Sequence, residues 1–212
     1  TGHRGNLKLH NNTTLRAQAN GAGESRFSNV TVHGSCTFDI QTGSEWLTVY
    51  GTLAGTGTVS KIGAQTLYLL GSIAPGFSAG ELTLNEAEGA IVPGTSTDAL
   101  ILEMGLEAGG ACDLLTFANM DAPIDLANID LHLALNGTTS FGVTNWFLVS
   151  NALLNNDFST TMLTGPHAAK VIWLGKSDDG LSYGFTMIPE PCAGLAALAG
   201  VACYTLRRRA AC

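Results

Sequence analysis

The sequence predicts an all-β fold, and three observations support this prediction. Short runs of β-prone residues recur between glycine-containing turns, and several alternate apolar with polar residues. Glycine is abundant, at 26 of 212 residues, whereas charged residues make up only 13%, about half the share usual in soluble domains. No stretch before the last two dozen residues has the pattern of a long amphipathic helix. We expect β-solenoid coils over 26–98, a β-rich continuation or cap over 99–188, and one hydrophobic helix in the tail 189–212.

Strand predictions begin after a polar, weakly patterned N-terminal segment at 1–25. The clearest run is 129–135, where isoleucine and leucine alternate with Asp130, His132 and Ala134. Such alternation is typical of a strand with one buried face. Eight runs are predicted as strands: 46–50, 66–70, 81–84, 99–102, 113–117, 129–135, 146–149 and 171–174.

Short strands at this spacing suit a sandwich, a barrel or a solenoid. The segments 51–59 and 63–71 each contain a short strand between glycines. The sequence around them shows a degenerate repeat of about 20 residues. In a solenoid, each strand pairs with strands above and below, and the open ends need caps. The local phrases therefore favour a solenoid for the first half of the chain.

The stretch from about Trp46 to Leu135 resembles the autotransporter-associated β-strand repeat regions of bacterial surface proteins. The matching residues are the glycine-threonine phrase 51–57, the segment 71–82 with its Pro75-to-Gly80 phrase, 112–117, and the alternating strand 129–135. This resemblance implies a right-handed parallel β-helix exposed outside the cell. It implies no chemistry.

The last two dozen residues have a different character. Pro189-Glu190-Pro191 breaks any preceding strand, because proline lacks an amide donor and restrains its neighbour. Residues 192–206 carry no charge; as a helix they would span roughly 22 Å, short of a hydrocarbon core of ~30 Å. Snorkelling arginine stems narrow that gap. Because basic residues stay cytoplasmic, the acidic body should lie outside. The alternative is an alanine-rich core helix with a basic end.

This tail resembles the PEP-CTERM sorting signal, which consists of a Pro-Glu-Pro motif, one apolar helix and a basic cluster. The resemblance implies recognition by an exosortase, removal of the tail near the motif, and release or attachment at the surface of a Gram-negative-type bacterium. Before processing, the tail would be a single transmembrane segment. The sorting-signal residues would be Pro189, Glu190, Pro191, Arg207, Arg208 and Arg209.

The scarcity of basic residues and the lack of metal-ligand spacing argue against nucleic-acid binding and metal binding. Net charge is −7, and the only basic residue between Arg26 and Lys170 is Lys61. Without a basic face to neutralise phosphates, nucleic-acid binding is not expected. Histidines and cysteines show no metal-ligand spacing, so we expect no metal or cofactor. Cys36 and Cys112 are either a disulfide pair or two small buried hydrophobes.

We do not predict catalysis, although two sequence patterns are compatible with it. Residues 76–80 match the G-x-S-x-G nucleophile elbow around Ser78, with Asp113 and His132 or His167 later in triad order, but a strand rather than a helix follows. The carboxylates at Asp121, Asp125, Asp130, Glu86, Glu88, Asp178 and Asp179 could act in glycoside cleavage or calcium binding. The segments 121–125 and 178–180 instead look like turn chemistry.

We therefore expect a non-enzymatic, exported cell-surface or extracellular-matrix protein with a structural or adhesive role. Its expected partners are the exosortase and the membrane through the tail, and glycans or other matrix proteins through the body. The alternatives are a carbohydrate-active β-helix enzyme and a calcium-dependent glycan-binding adhesin. Two or three carboxylates beside an aromatic platform in one groove would favour the enzyme.

Overall fold

A computed structural model describes residues 5–17, 24–41, 46–76, 80–139 and 142–189. In these residues the chain is all-β, as predicted, with short 3₁₀ turns at Leu126–Asn128 and Ala168–Lys170. The strands are β1 Gly5–His10, β2 Thr13–Ala17, β3 Ser25–His33, β4 Cys36–Ile40, β5 Leu47–Val49, β6 Thr52–Ile62, β7 Leu67–Leu69, β8 Ser72–Ala74, β9 Glu81–Glu86, β10 Ile91–Pro93, β11 Leu100–Leu106, β12 Leu114–Ala118, β13 Ile124–Asp125, β14 Ile129–Leu135, β15 Thr144–Ser150, β16 Leu154–Asn155, β17 Thr160–Thr164, β18 Val171–Lys176 and β19 Ser182–Met187.

Seventeen of these strands form one large, mostly parallel sheet. One series of parallel neighbours runs β1, β3, β6, β8, β11, β14, β17. A second series runs β2, β4, β6, β9, β12, β15, and a third runs β3, β5, β7, β10. Paired residues in the first series lie 20 to 30 positions apart in sequence, from Leu53 opposite Ile73 to Leu131 opposite Thr161. The chain therefore returns to the same series after each such interval.

Aliphatic side chains fill the inner face of each series. In the first series Leu53, Ile73, Leu102 and Leu131 lie side by side and are at most 1% exposed. Full burial of such a side chain contributes about 1.5–3 kcal/mol. The predicted alternation in 129–135 is confirmed, since all four apolar residues of β14 are buried and the three between them are not.

All eight runs predicted as strands overlap observed strands. Two further strands, β1 and β2, lie in the N-terminal segment for which no strand was predicted. Strand β6 also differs from the expected short strand, because it continues through Gly55 and Gly57 to residue 62. Both glycines have φ of +116°, and a Cβ atom on Gly55 would lie 1.9 Å from the Val32 carbonyl oxygen. Glycine thus lets one strand change direction and join two series.

Residues 144–187 end the second series with antiparallel strands. Strand β19 pairs antiparallel with both β15 and β18. Beneath them, the ring of Phe147 packs against Phe158, Tyr183 and Phe185, with centroid distances of 5.9 to 6.5 Å. Aromatic contacts at such distances stabilise a core beyond the area that they bury.

The two cysteines of the body are free thiols rather than a disulfide. Cys36 is buried, and its Sγ lies 3.4 Å from the His10 carbonyl oxygen that accepts its hydrogen bond. Burial, together with the charge of Asp113, raises the pKa of the Cys112 thiol to about 12. Both groups are therefore weak nucleophiles at neutral pH.

Candidate functional site

Most of the predicted sorting signal lies outside the described residues. Pro189 is described, and it is exposed just after β19. Glu190, Pro191, Arg207, Arg208 and Arg209 fall outside, as does the predicted C-terminal helix. Across the part of the chain that the structure describes, no helix has the length and apolar character needed to cross a membrane.

The triad suggested by the nucleophile-elbow pattern gains no support. Ser78 lies outside the described residues. The Asp113 side chain is buried, and its two oxygens accept hydrogen bonds from the backbone amides of Gly80 at 2.8 Å and Gly105 at 2.7 Å. With both oxygens committed to backbone amides, Asp113 holds the chain in place rather than orienting a histidine.

Other acidic residues stabilise turns, as predicted for 121–125 and 178–180. The Asp125 side chain accepts hydrogen bonds from the Ala127 amide at 3.1 Å and from Asn156 at 2.8 Å. Asp179 accepts hydrogen bonds from the Ser177 hydroxyl and the Leu181 amide. Among the described residues, no group of three or more histidine, cysteine or acidic side chains could hold a metal ion.

Glu86 shows a related use of a buried carboxylate. Its side chain is almost fully buried and accepts hydrogen bonds from the amides of Ile91 at 2.7 Å and Asp121 at 3.0 Å. These bonds tie the turns after β9 and β12 together. Glu86 therefore serves structure, and its oxygens are not free to act on a substrate.

A column of polar side chains crosses the outer face of the first four strands of the first series. The Asn29 amide donates to the Asn6 oxygen at 2.9 Å, the Asn29 oxygen accepts from the Thr52 amide at 2.9 Å, and the hydroxyls of Thr52 and Ser72 lie 2.9 Å apart. Beside this column, the rings of His10 and His33 stack at 5.5 Å. A groove of about 760 Å³ is lined by Asn29, His33 and Thr52 of this surface and by residues of β11. The first four strands of the series thus share one column of hydrogen-bonded polar side chains.

A second groove, which we call the aromatic groove, lies over β5 and β7. Successive strand residues point to opposite faces, so Leu47 and Val49 point into the core whereas Trp46, Thr48 and Tyr50 belong to the other face, where Thr48 is itself buried. Residues from two further segments complete the groove, which has a volume of about 370 Å³. Its lining is Glu24, Trp46, Thr48, Tyr50, Tyr68, Leu70, Thr95, Thr97 and Asp98.

Two aromatic rings form a corner in the aromatic groove. The Trp46 side chain is 47% exposed, and its ring lies 6.5 Å from the Tyr68 ring at an interplanar angle of 81°. Pairing of β5 with β7 fixes this arrangement, because Leu47 lies opposite Leu67 and Thr48 opposite Tyr68. The corner offers two aromatic surfaces at nearly a right angle.

Hydrogen bonds fix Glu24 and Tyr50 at the other side of the groove. The Tyr50 hydroxyl donates to Glu24 Oε1 at 2.9 Å, and Arg26 Nε donates to Glu24 Oε2 at 2.5 Å. The Arg26 guanidinium also lies 5.4 Å from the centre of the Tyr50 ring, within the range of a cation–π interaction. Glu24 and Tyr50 are therefore preorganised before any ligand arrives.

The electrostatics of the aromatic groove favour an ionised carboxylate. Burial alone would raise the pKa of Glu24, but hydrogen bonds from neighbouring side chains, including Tyr50 and Arg26, hold that pKa below its usual value. Burial, reinforced by the charge of Glu24, raises the pKa of Tyr50. A glycosidase acid needs a raised carboxyl pKa so that it is protonated at neutral pH. Glu24 has the opposite property, and it suits hydrogen-bond acceptance rather than proton donation.

Sequence reasoning missed the aromatic groove. A local signal was present, since Trp46, Thr48 and Tyr50 lie at the two-residue spacing that shares one strand face. The contributions of Glu24 and Asp98 had no local signal, because they depend on which strands pair. Comparison of the chain with protein-family models, curated proteins and solved structures gave no match.

Proposed function

We propose that this chain is an exported cell-surface or extracellular-matrix protein with a structural and adhesive role. Its body would be a right-handed parallel β-helix with a β-rich end, and its tail a sorting signal processed by an exosortase. Three series of parallel strands support the β-helix. Strands β3 and β6 each belong to two of these series and so join them. A chain that revisits the first series every 20 to 30 residues suits a solenoid.

The polar column across the first four strands of the first series is the observation on which the functional proposal rests. Asn6, Asn29, Thr52 and Ser72 belong to four successive strands of the first series and bond to one another across them. Because these bonds satisfy the side chains in a fixed arrangement, the surface presents ordered amides and hydroxyls without an enclosed catalytic pocket. Such a surface suits contact with glycans or with other matrix chains.

Charge supports an external location for the body. Lys61, the only basic residue between Arg26 and Lys170, has a fully buried side chain. That long segment therefore presents acidic side chains and no exposed basic ones, whereas the tail holds three arginines. This asymmetry fits a tail that keeps its arginines on the cytoplasmic side while the body is delivered outward.

A carbohydrate-active enzyme is the second candidate, because the aromatic groove holds two carboxylates, Glu24 and Asp98, beside Trp46 and Tyr68. That combination is the one expected of such an enzyme. The lowered pKa of Glu24 and its pairing with Arg26 and Tyr50 favour sugar binding over cleavage. The groove is therefore better suited to an adhesive role than to hydrolysis.

Cell fractionation tests the proposal. Cells with and without the exosortase are separated into cytoplasm, membrane and surface or medium, and the chain is followed by immunoblotting. We expect processed protein at the surface of the first strain and unprocessed protein in the membrane of the second. Replacing Pro189, Glu190 and Pro191 together with alanine should reproduce the second pattern. A soluble cytoplasmic chain in both strains would contradict the proposal.

A further inference from the structure

We infer that the aromatic groove binds a neutral hexopyranose chain. This inference specifies a ligand for the proposed adhesive role. It rests on the proposed function only for the location, outside the cell, where the chain would encounter the sugar. Three properties of the groove lead to it: an exposed aromatic corner, a preorganised set of hydrogen-bonding groups, and the absence of a basic side chain among its described lining residues.

The aromatic corner matches the apolar side of a pyranose ring. A pyranose carries C–H groups on one or both ring faces and hydroxyls around its edge, so an aromatic surface can cover the C–H face while the hydroxyls stay hydrated. Trp46 leaves 47% of its surface in water, although it is large and apolar. Covering that surface would release hydration water and gain dispersion contacts. The Tyr68 ring lies beside it at an interplanar angle of 81° and adds a second aromatic surface.

The turn after β10 supplies polar groups at fixed positions. In the turn after β10, the Thr97 hydroxyl donates to Asp98 Oδ2 at 3.2 Å, the hydroxyls of Thr95 and Thr97 lie 3.2 Å apart, and the Asp98 amide donates to Thr95 Oγ1 at 3.1 Å. Thr97 and Asp98 are exposed. Sugar hydroxyls both donate and accept, so they can bond this network without rearranging it.

The negative charge of the aromatic groove favours neutral over acidic polysaccharides. Glu24 and Asp98 line the groove, whereas Arg26 is paired with Glu24 and lies against the Tyr50 ring. An acidic polysaccharide would bring its carboxylates or sulfates toward these two acids with no free cation in the lining to offset the repulsion. A neutral hexose chain meets no such penalty and can donate its hydroxyls to both carboxylates. The volume of about 370 Å³ lies within the range of small-ligand pockets.

Isothermal titration calorimetry on the full chain tests the inference. The probes are hexasaccharides of glucose, mannose and galactose, with oligogalacturonate as the acidic counterpart. We expect at least one neutral probe to bind and the acidic probe to bind more weakly. Trp46→Ala and Tyr68→Ala should each weaken binding by about tenfold or more, as expected for a central aromatic contact. Trp46→Phe should retain part of the affinity.

Trp173→Ala is the matched control, since Trp173 is also partly exposed but lies on β18, outside the groove. It should leave the affinity unchanged, and circular dichroism should show that every variant folds. Failure of all neutral probes to bind, equal effects of Trp46→Ala and Trp173→Ala, or tighter binding of oligogalacturonate would overturn the inference. Shortened sugars in the mass spectrum after titration would instead indicate hydrolysis. Because calorimetry does not depend on where the cell sends the chain, these outcomes are independent of the fractionation result.

Discussion

The Nζ atom of Lys61 donates a hydrogen bond to the backbone carbonyl of Glu88 at 2.6 Å, in a site where the lysine is fully buried. Nζ also donates to the Gly63 carbonyl, and the Gly63 amide donates to Glu88 Oε2 at 3.1 Å. Burial lowers the pKa of Lys61, while the charges of Glu88, Glu86 and Asp39 oppose that effect. One lysine therefore joins the turns that follow β6 and β9.

Replacing Lys61 with methionine should destabilise the protein by about 1–3 kcal/mol. The variant keeps most of the packing but leaves the Gly63 and Glu88 carbonyls without the lysine donor, and relief from burying a charge offsets only part of that cost. Urea denaturation at neutral pH measures the change. Lys8→Met is the control, because Lys8 is exposed on β1 and should change stability by no more than about 0.5 kcal/mol. Equal midpoints for the two variants would show that the buried bonds contribute nothing.

Gly55→Ala should destabilise the protein by more than about 2 kcal/mol. An alanine there would combine a φ of +116° with a Cβ atom 1.9 Å from the Val32 carbonyl oxygen, so β6 would have to move away from β3. Thermal unfolding followed by circular dichroism is the measurement. Gly109→Ala is the control, since its Cβ would meet nothing within 4 Å, and it should be close to neutral. A harmless Gly55→Ala would rule out the close approach of these strands.

Asp113→Asn should destabilise the protein by about 1–3 kcal/mol. An asparagine oxygen can accept from only one side of the site, so its amino group would face the amide of Gly80 or Gly105 and leave one buried amide unpaired. Chemical denaturation compares this variant with Asp178→Asn, whose parent residue is exposed. If Asp113→Asn behaves like Asp178→Asn, the carboxylate does not hold these segments.

Glu24 should make stability depend on pH in the acid range. Its folded-state pKa lies below the ordinary value of 4.5, so its contribution is present above pH 4.5 and is lost as the pH falls through the folded pKa. Glu24→Gln should therefore melt at a lower temperature than the wild type at neutral pH, and the difference should shrink below pH 4.5. Glu103→Gln, at an exposed position on β11, should show no such change. A gap that widens on acidification would contradict the ionised pairing of Glu24.

Local patterns in the sequence predict much of the fold. The alternation in β14 identifies its buried residues because side chains of one strand point to opposite faces. Strand β1 carried no comparable signal: Leu9 is buried, but the surrounding residues of the strand are mostly exposed. Its place in the sheet comes from parallel pairing with β3, which depends on residues more than twenty positions away.

Long-range pairing also explains what sequence reasoning missed at the candidate site. Trp46 and Tyr68 could be recognised as strand residues, yet their contact follows from the pairing of β5 with β7. Lys61 can be recognised in the sequence as an isolated basic residue, but nothing in the sequence predicts that it is buried. Its burial depends on backbone carbonyls from two separate turns. The sequence therefore gives the net charge of the chain directly, but it does not predict which charged side chains lie on the surface.

Surface labelling of intact cells tests the central claim, export of the body, most directly. Cells are treated with a membrane-impermeant, amine-reactive biotin reagent, and modified lysines are mapped by mass spectrometry. We expect Lys8, which is exposed, to be labelled in intact cells, and Lys61, which is buried, to be labelled only after denaturation. A cytoplasmic protein serves as the lysis control. Labelling of Lys8 only after the cells are broken would contradict the account.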